Sequence, residues 1–361
     1  MIVKIINDQV NLIGPGGQHR ILSFAEALYR VGIKVILVTP YFQVDYEYFK
    51  RNYHKFHIDR EYLYSSKSKV RFMIDNTVRL LLKELDSEPP DIYIIGLPVP
   101  LLRGLVKYAA SLRKVPYILD FGDPWFSPSD PLLWRWLMDS YLLRLLKDAP
   151  AITVPNKWFR AHLKIMMRNN INILRKIYVL YPSALYIIDP STIKARDYST
   201  LKFVHLGELP LNSISDIVKM LKHIYIKTKT NIEFTIIGGS QSVYSVKEHI
   251  LKEKLGNAIN VTYAPPISRF NVYSFIKNYH VGLSVHEGIY WKPINELKIV
   301  DYLASGLMVI STFKTDLLID NVNSFISRDL SIIYERIPYN YQELLMSMSM
   351  NSLSIARNCC S

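Results

Sequence analysis

Short Ile/Val-rich runs alternate with longer amphipathic stretches along nearly the whole chain, and the alternation starts afresh halfway. That rhythm restricts the fold more than any other feature. In the first half it predicts strands at Ile2–Ile6, Lys34–Thr39, Asp91–Ile95, Tyr117–Asp120 and Ala151–Val154. Helical patterns lie between them at Arg20–Val31, Asn76–Leu85, Leu101–Leu112 and Leu132–Leu146. In the second half strands are predicted at Lys202–Leu206, Glu233–Ile237, Asn260–Tyr263, His280–Val285 and Met308–Ser311. The matching helices are Ser215–Tyr225, Val243–Leu255, Arg269–Asn278 and Glu296–Ser305. Connections of this length are crossovers, so the strands are parallel. The class is α/β: two doubly wound, Rossmann-like domains facing each other across a cleft, with ligands at the carboxyl ends of the strands.

The break falls near Tyr181–Thr192, where Pro182, Pro190 and Ser/Thr residues cluster. The expected domains are 1–185 and 186–345, with a helical tail at 346–361 that packs back on the first domain. A length of 361 residues agrees with two cores rather than one. The net charge of +13 is lopsided: residues 1–185 carry 26 basic and 16 acidic side chains, residues 186–361 carry 18 and 15. The first half is therefore expected to meet something anionic. The cysteines are Cys359 and Cys360, adjacent at the tail, which excludes a disulfide framework or a cysteine-built zinc site. No apolar run approaches the ~18–20 residues of a membrane-spanning helix. The opening MIVKIINDQV is too short an apolar stretch for a signal peptide and reads as a strand, so a cytoplasmic protein is expected.

Three segments carry candidate chemistry. NLIGPGGQHR, from Asn11 to Arg20, is a Gly-rich turn ahead of a helix; Gly16 and Gly17 let backbone approach an anion at the helix start, or simply form a flexible turn. PYILDFGDPWF, from Pro116 to Phe126, ends a strand in Asp120 and Asp123; Asp123 either faces the ligand or caps the turn. The segment from Val281 to Ile310 holds a strand, an irregular loop with His286 and Glu287, and a helix that Gly306 closes. On that helix Lys298 and Asp301 share a face, suiting a diphosphate and the vicinal hydroxyls of a ribose; a solvated ion pair is the plain alternative.

ELKIVDYLASGLMVI, from Glu296 to Ile310, resembles the donor-site motif of family 4 glycosyltransferases, which runs roughly Pro-x-Lys-x-x-Glu-Tyr-x-Ala-x-Gly-x-Pro-Val in one branch. Lys298, Tyr302, Ala304, Gly306 and Val309 match, and Asp301 replaces the ribose-binding Glu. The GPGGQHR loop, the LDFGDPW run and the TIIGGS run with Gly238 and Gly239 resemble three further family segments, in the right order. The resemblance implies the GT-B fold and a retaining, metal-independent hexosyltransferase with no cofactor beyond its nucleotide-sugar donor. It implies donor contacts from Gly16, Gly17, Gly238, Gly239, Lys298 and Asp301, with Asp123, Glu287 and Glu296 as catalytic candidates. The acceptor it implies is a sugar, a lipid-linked carrier or a protein glycan.

Departures accompany the matches. The family's phosphate-clamping Arg after the first strand of the second domain is Glu208, and the first Glu of its paired-Glu pattern is Pro293. The stretch PLLWRWLMDSYLLRLLK, from Pro131 to Lys147, reads either as a helix lying on an anionic membrane or as core. Two other readings compete: a sugar-nucleotide epimerase on the same fold, and a non-catalytic nucleic-acid binder. The second rests on charge alone, without a basic–aromatic motif, so nucleic acid is not the expected partner.

Overall fold

A computed structural model describes residues 1–6, 18–38, 57–59, 88–97, 112–122, 145–166, 171–184, 186–267, 269–285 and 297–360. The chain divides into two compact units, Met1–Tyr181 and Pro182–Ser361.

The first unit holds strands β1 (Ile2–Ile6), β2 (Lys34–Val38), β3 (His57–Asp59), β4 (Ile92–Leu97), β5 (Tyr117–Phe121), β6 (Ala151–Val154) and β7 (Ile177–Val179). They form one sheet in the order β3-β2-β1-β4-β5-β6-β7, every neighbouring pair parallel. Helix α1 (Gln18–Arg30) makes the first crossover. Helices α2 (Lys157–Met166) and α3 (Ile171–Leu174) join β6 to β7, and their Phe159, Leu163 and Ile173 enter the same core as Tyr93, Leu119 and Ile152.

The second unit opens with the short helix α4 (Pro190–Lys194), where the Asp189 carboxylate accepts a hydrogen bond from the Ser191 backbone N–H at 2.8 Å and Pro190 supplies the fixed φ of a first helical residue. Its sheet runs β10-β9-β8-β11-β12-β13, again all parallel. The strands are β8 (Thr200–Leu206), β9 (Asn231–Ile237), β10 (Ile259–Ala264), β11 (Val281–Ser284), β12 (Met308–Ser311) and β13 (Ser324–Ile326). Helices α5 (Ile214–Thr228), α6 (Ser240–Lys252), α7 (Arg269–Ile276) and α8 (Leu297–Ala304) are the crossovers. The tail forms α9 (Tyr341–Cys359): Tyr341, Leu345 and Met348 enter the core of this unit, and Ser352 Oγ donates to Leu307 O at 2.8 Å.

Both sheets are doubly wound about their first strand, so each has a switch point where neighbouring crossovers diverge: between β1 and β4, and between β8 and β11. In such sheets the carboxyl ends at the switch point are where ligands sit. β1, β6 and β12 coincide with the expected strands because short runs rich in Ile and Val, buried on both faces, leave little ambiguity. The unforeseen β3, β7 and β13 have three residues each, too short for an alternation to register, and each occupies a sheet edge. The expected helix Asn76–Leu85, and all but the ends of Leu101–Leu112 and Leu132–Leu146, lie outside the described residues.

Candidate functional site

At the switch point of the second sheet the motif helix α8 is locked to the strand ends by Tyr302. Its ring is fully buried, its hydroxyl donates to Leu283 O at 3.1 Å, and the same oxygen accepts from Leu206 N at 2.9 Å. One side chain therefore satisfies backbone groups of both β8 and β11 where the ladder between them stops. The ring lies so close to β11 that a Cβ on Gly282 would stand 2.4 Å from Tyr302 Cγ. The motif's Tyr and the glycine opposite it are a matched pair that sets the height of α8 above the sheet.

The next residue back is Asp301, only 5% exposed. A carboxylate is costly to bury unless hydrogen-bonded, and here Oδ1 accepts from the Tyr273 hydroxyl at 2.6 Å. Tyr273 stands on α7 and is itself buried, with the Tyr186 ring edge-on at 6.4 Å. This burial removes the reading of Asp301 as one end of a solvated ion pair. Lys298, one turn nearer the start of α8, is half-buried. At the other end of the helix Arg196 donates to Gly306 O at 2.6 Å, Ser305 O at 2.6 Å and Lys277 O at 2.9 Å. A buried cation thus takes up the orphan carbonyls and the negative pole of α8, and its burial pulls its pKa down to about 10.

Beside the switch point, the turns after β8 and β9 touch. Gly238 has φ +84°, in the left-handed region, and a Cβ on Gly239 would lie 2.5 Å from Gly207 O. Gly239 is also the N-cap of α6. The anion on that helix start comes from the protein: Glu208 Oε2 accepts from Ser242 Oγ at 2.5 Å and from Ser242 N at 3.3 Å. Leu209 N donates to the same Ser242 oxygen at 2.8 Å, and His205 Nε2 lies 3.2 Å from Glu208 O. Glu208 is thus a helix-capping carboxylate, favourable against the positive end of α6. It places negative charge where a clamping cation was looked for.

In the first unit the two motif segments meet through a buried ion pair. Arg20, in the first turn of α1, reaches Asp120 Oδ1 from NH2 at 2.7 Å and both carboxylate oxygens from Nε at 2.9 Å. NH1 donates to Leu180 O and Thr153 Oγ1 donates to Asp120 Oδ1, each at 2.5 Å. Asp120, at the carboxyl end of β5, is therefore committed to holding α1 against the sheet. Among the sequence-derived candidates, Gly238, Gly239, Lys298 and Asp301 all belong to the second unit. Gly16, Gly17, Asp123, Glu287 and Glu296, with His286 and Pro293, lie outside the described residues. Sequence reasoning missed Tyr273 and Arg196, which sit outside every motif. Among the described residues no group of His, Cys, Asp and Glu is arranged to hold a metal ion.

Two doubly wound parallel units in tandem, the second with a buried carboxylate at its switch point, are the layout of a GT-B protein. Residues 15–181 match the sequence profile described as "Glycosyltransferase Family 4". Solved structures extend the likeness to the whole length. A glycosyltransferase from Rickettsia africae is 14% identical, with a TM-score of 0.68 over 100% of this chain and 94% of that one. Anabaena HepE, solved with UDP, is 13% identical, with a TM-score of 0.67 over 99% of this chain and 95% of that one. Sucrose-phosphate synthase from Thermosynechococcus elongatus is 10% identical, with a TM-score of 0.66 over 99% and 94%. At these identities the likeness is one of fold. No curated protein matches the chain in sequence.

Proposed function

We propose that this chain is a retaining, metal-independent hexosyltransferase that moves a sugar from a nucleoside diphosphate sugar to an acceptor hydroxyl. The observation that carries the reading is Asp301, a buried carboxylate aligned by Tyr273 on a helix locked to the switch point of the second sheet. Asp301 holds ribose hydroxyls of the donor, and Lys298 with the start of α8 takes the diphosphate. Gly238 and Gly239 keep the β9 turn low enough for the nucleotide to lie over it. As the sugar–phosphate bond breaks, charge collects on the diphosphate, and its stabilisation by fixed dipoles and Lys298 is the main source of rate. A uridine diphosphate sugar is the first donor to test, because HepE has been solved with both UDP and UDP-glucose.

Gly16 and Gly17 contribute to donor binding in this reading, as the family resemblance implies. Asp123 positions the acceptor, with Glu287 and Glu296 as further polar groups at the reacting carbon. The acceptor meets the first unit, and its excess of basic side chains suits a phosphorylated lipid carrier at an anionic membrane. No helix among the described residues is long and apolar enough to cross a membrane. The site proposed here is a cytoplasmic protein resting on the inner membrane face. The test is a thermal-shift panel of UDP-, GDP-, ADP- and TDP-sugars on the wild type and on Asp301→Ala. A shift with at least one donor, lost in the variant, is expected; a folded wild type that responds to none overturns the reading.

A further inference from the structure

From position 149 to 188 the chain has six Lys/Arg residues and no Asp or Glu; Asp148 and Asp189 bracket the stretch. In the first unit this stretch builds β6, α2, α3 and the edge strand β7. Helix α2 buries Phe159 and Leu163 in the core and turns the rest of its described side chains outward. Two stripes run side by side on that outer face. Trp158, Ala161 and Ile165 follow the i, i+3, i+7 spacing of one, and Lys157, Arg160 and Lys164 follow the same spacing in the other. All six are exposed; Trp158 is 42% and Ile165 76% accessible. Just beyond α2, Ile171 and Arg175 are exposed as well.

Helix stability does not account for this pattern. The first turn of α2 has no acidic residue and carries Lys157 and Arg160, both of which oppose the helix macrodipole, while Lys164 in the last turn favours it. Neither does the core, which takes only the opposite side. An aromatic–aliphatic stripe flanked by long cationic side chains is the composition of a helix lying in the headgroup region of an anionic bilayer. There the apolar side chains enter the acyl boundary while Lys and Arg stems lie along it with their charges in the headgroups.

We infer that the outer face of α2 docks the first unit onto an anionic lipid bilayer. The occupant follows from charge complementarity over a stretch without acids and from the aliphatic stripe, since Ile165 and Ala161 offer nothing to a nucleic-acid phosphate or base. The inference deepens the acceptor reading above and rests on it for its purpose: the face brings the enzyme to a lipid-linked acceptor. It also differs from the Pro131–Lys147 stretch singled out by composition.

The test is sedimentation of the full chain with vesicles of neutral phosphatidylcholine, alone or with about 30% phosphatidylglycerol, at low and high salt. Binding to the anionic vesicles at low salt, weakened by salt and absent on neutral ones, is expected. The triple variant Lys157→Gln/Arg160→Gln/Lys164→Gln should lower partitioning by about a hundredfold, from roughly fivefold per cation. The double variant Trp158→Ser/Ile165→Ser should lower it by about tenfold or more while keeping the salt dependence. Circular dichroism confirms folding of these surface variants. No binding by wild type, or binding that neither variant changes, overturns the inference. So does tighter binding to single-stranded RNA than to vesicles that persists in the double variant, which assigns the face to nucleic acid. The donor thermal shift is read on the same samples without vesicles: its loss alone counts against the transferase reading, and loss of vesicle binding alone counts against the docking face.

Discussion

Asp120→Ala strips a buried guanidinium of its counter-charge. Arg20 is 5% exposed and Asp120 2%, and the carboxylate accepts from Arg20 at 2.7–2.9 Å and from Thr153 at 2.5 Å. Breaking a buried ion pair from one side costs about 3–5 kcal/mol, because the remaining charge stays out of water. The stranded Thr153 hydroxyl adds about 1 kcal/mol. Against a total stability of about 5–15 kcal/mol, the first unit would be left marginal. Urea unfolding followed by tryptophan fluorescence reads this unit selectively, because four of the five tryptophans lie within it. With a slope of about 2 kcal/mol per molar urea, the midpoint should fall by about 2 M. Replacing both partners with apolar residues, Arg20→Met with Asp120→Leu, should recover most of the loss, since an apolar pair carries no desolvation debt. A single-variant loss under about 1 kcal/mol, or a double variant no better than the single, would refute the idea that this pair orders the start of α1.

Gly282→Ala should destabilise the second unit by about 1–3 kcal/mol or more, seen as a lower midpoint by circular dichroism, because the new methyl meets the Tyr302 ring between two fixed elements. Tyr273→Phe should raise the donor Kd about tenfold in calorimetry by removing the hydrogen bond that aligns Asp301. His280 supplies a pH dependence. Burial, then Arg196 and Lys202, press its pKa from 6.5 down to about 3, and neutral Nδ1 accepts from Lys202 N at 2.9 Å. The unfolded chain takes up a proton below pH ~6.5 that the folded chain refuses until about pH 3, so this group's stability is present above pH ~6.5 and is lost as pH falls. The stability gap between wild type and His280→Phe, from urea melts, should therefore shrink by about 1.4 kcal/mol per pH unit between pH ~6 and ~4.

Strands such as β1 and β12 were legible because each side of a parallel sheet is covered, which favours apolar residues at neighbouring positions, broken in β1 only by the buried Lys4. Asp301 and Lys298 were legible because one helix carries both, three residues apart. What gives Asp301 its character was not: Tyr273 is 28 residues away, and Arg196 meets Gly306 across 110. Partners brought together only by the crossovers leave no local spacing to read. Glu208 lies between these cases. The sequence marks it as a departure, but only the fold shows the carboxylate resting on Ser242 at the start of α6. Asp120 likewise reads as half of a carboxylate pair, and the structure commits it to Arg20 instead.

The central claim is that Asp301, aligned by Tyr273 above the second switch point, is the donor-binding carboxylate. Isothermal titration of UDP-glucose into the wild type and Asp301→Ala, at matched fold by circular dichroism, tests it directly. The account predicts saturable binding to the wild type and a Kd raised by at least about tenfold in the variant, the loss of one charged hydrogen bond. Equal affinity in the two proteins would contradict it.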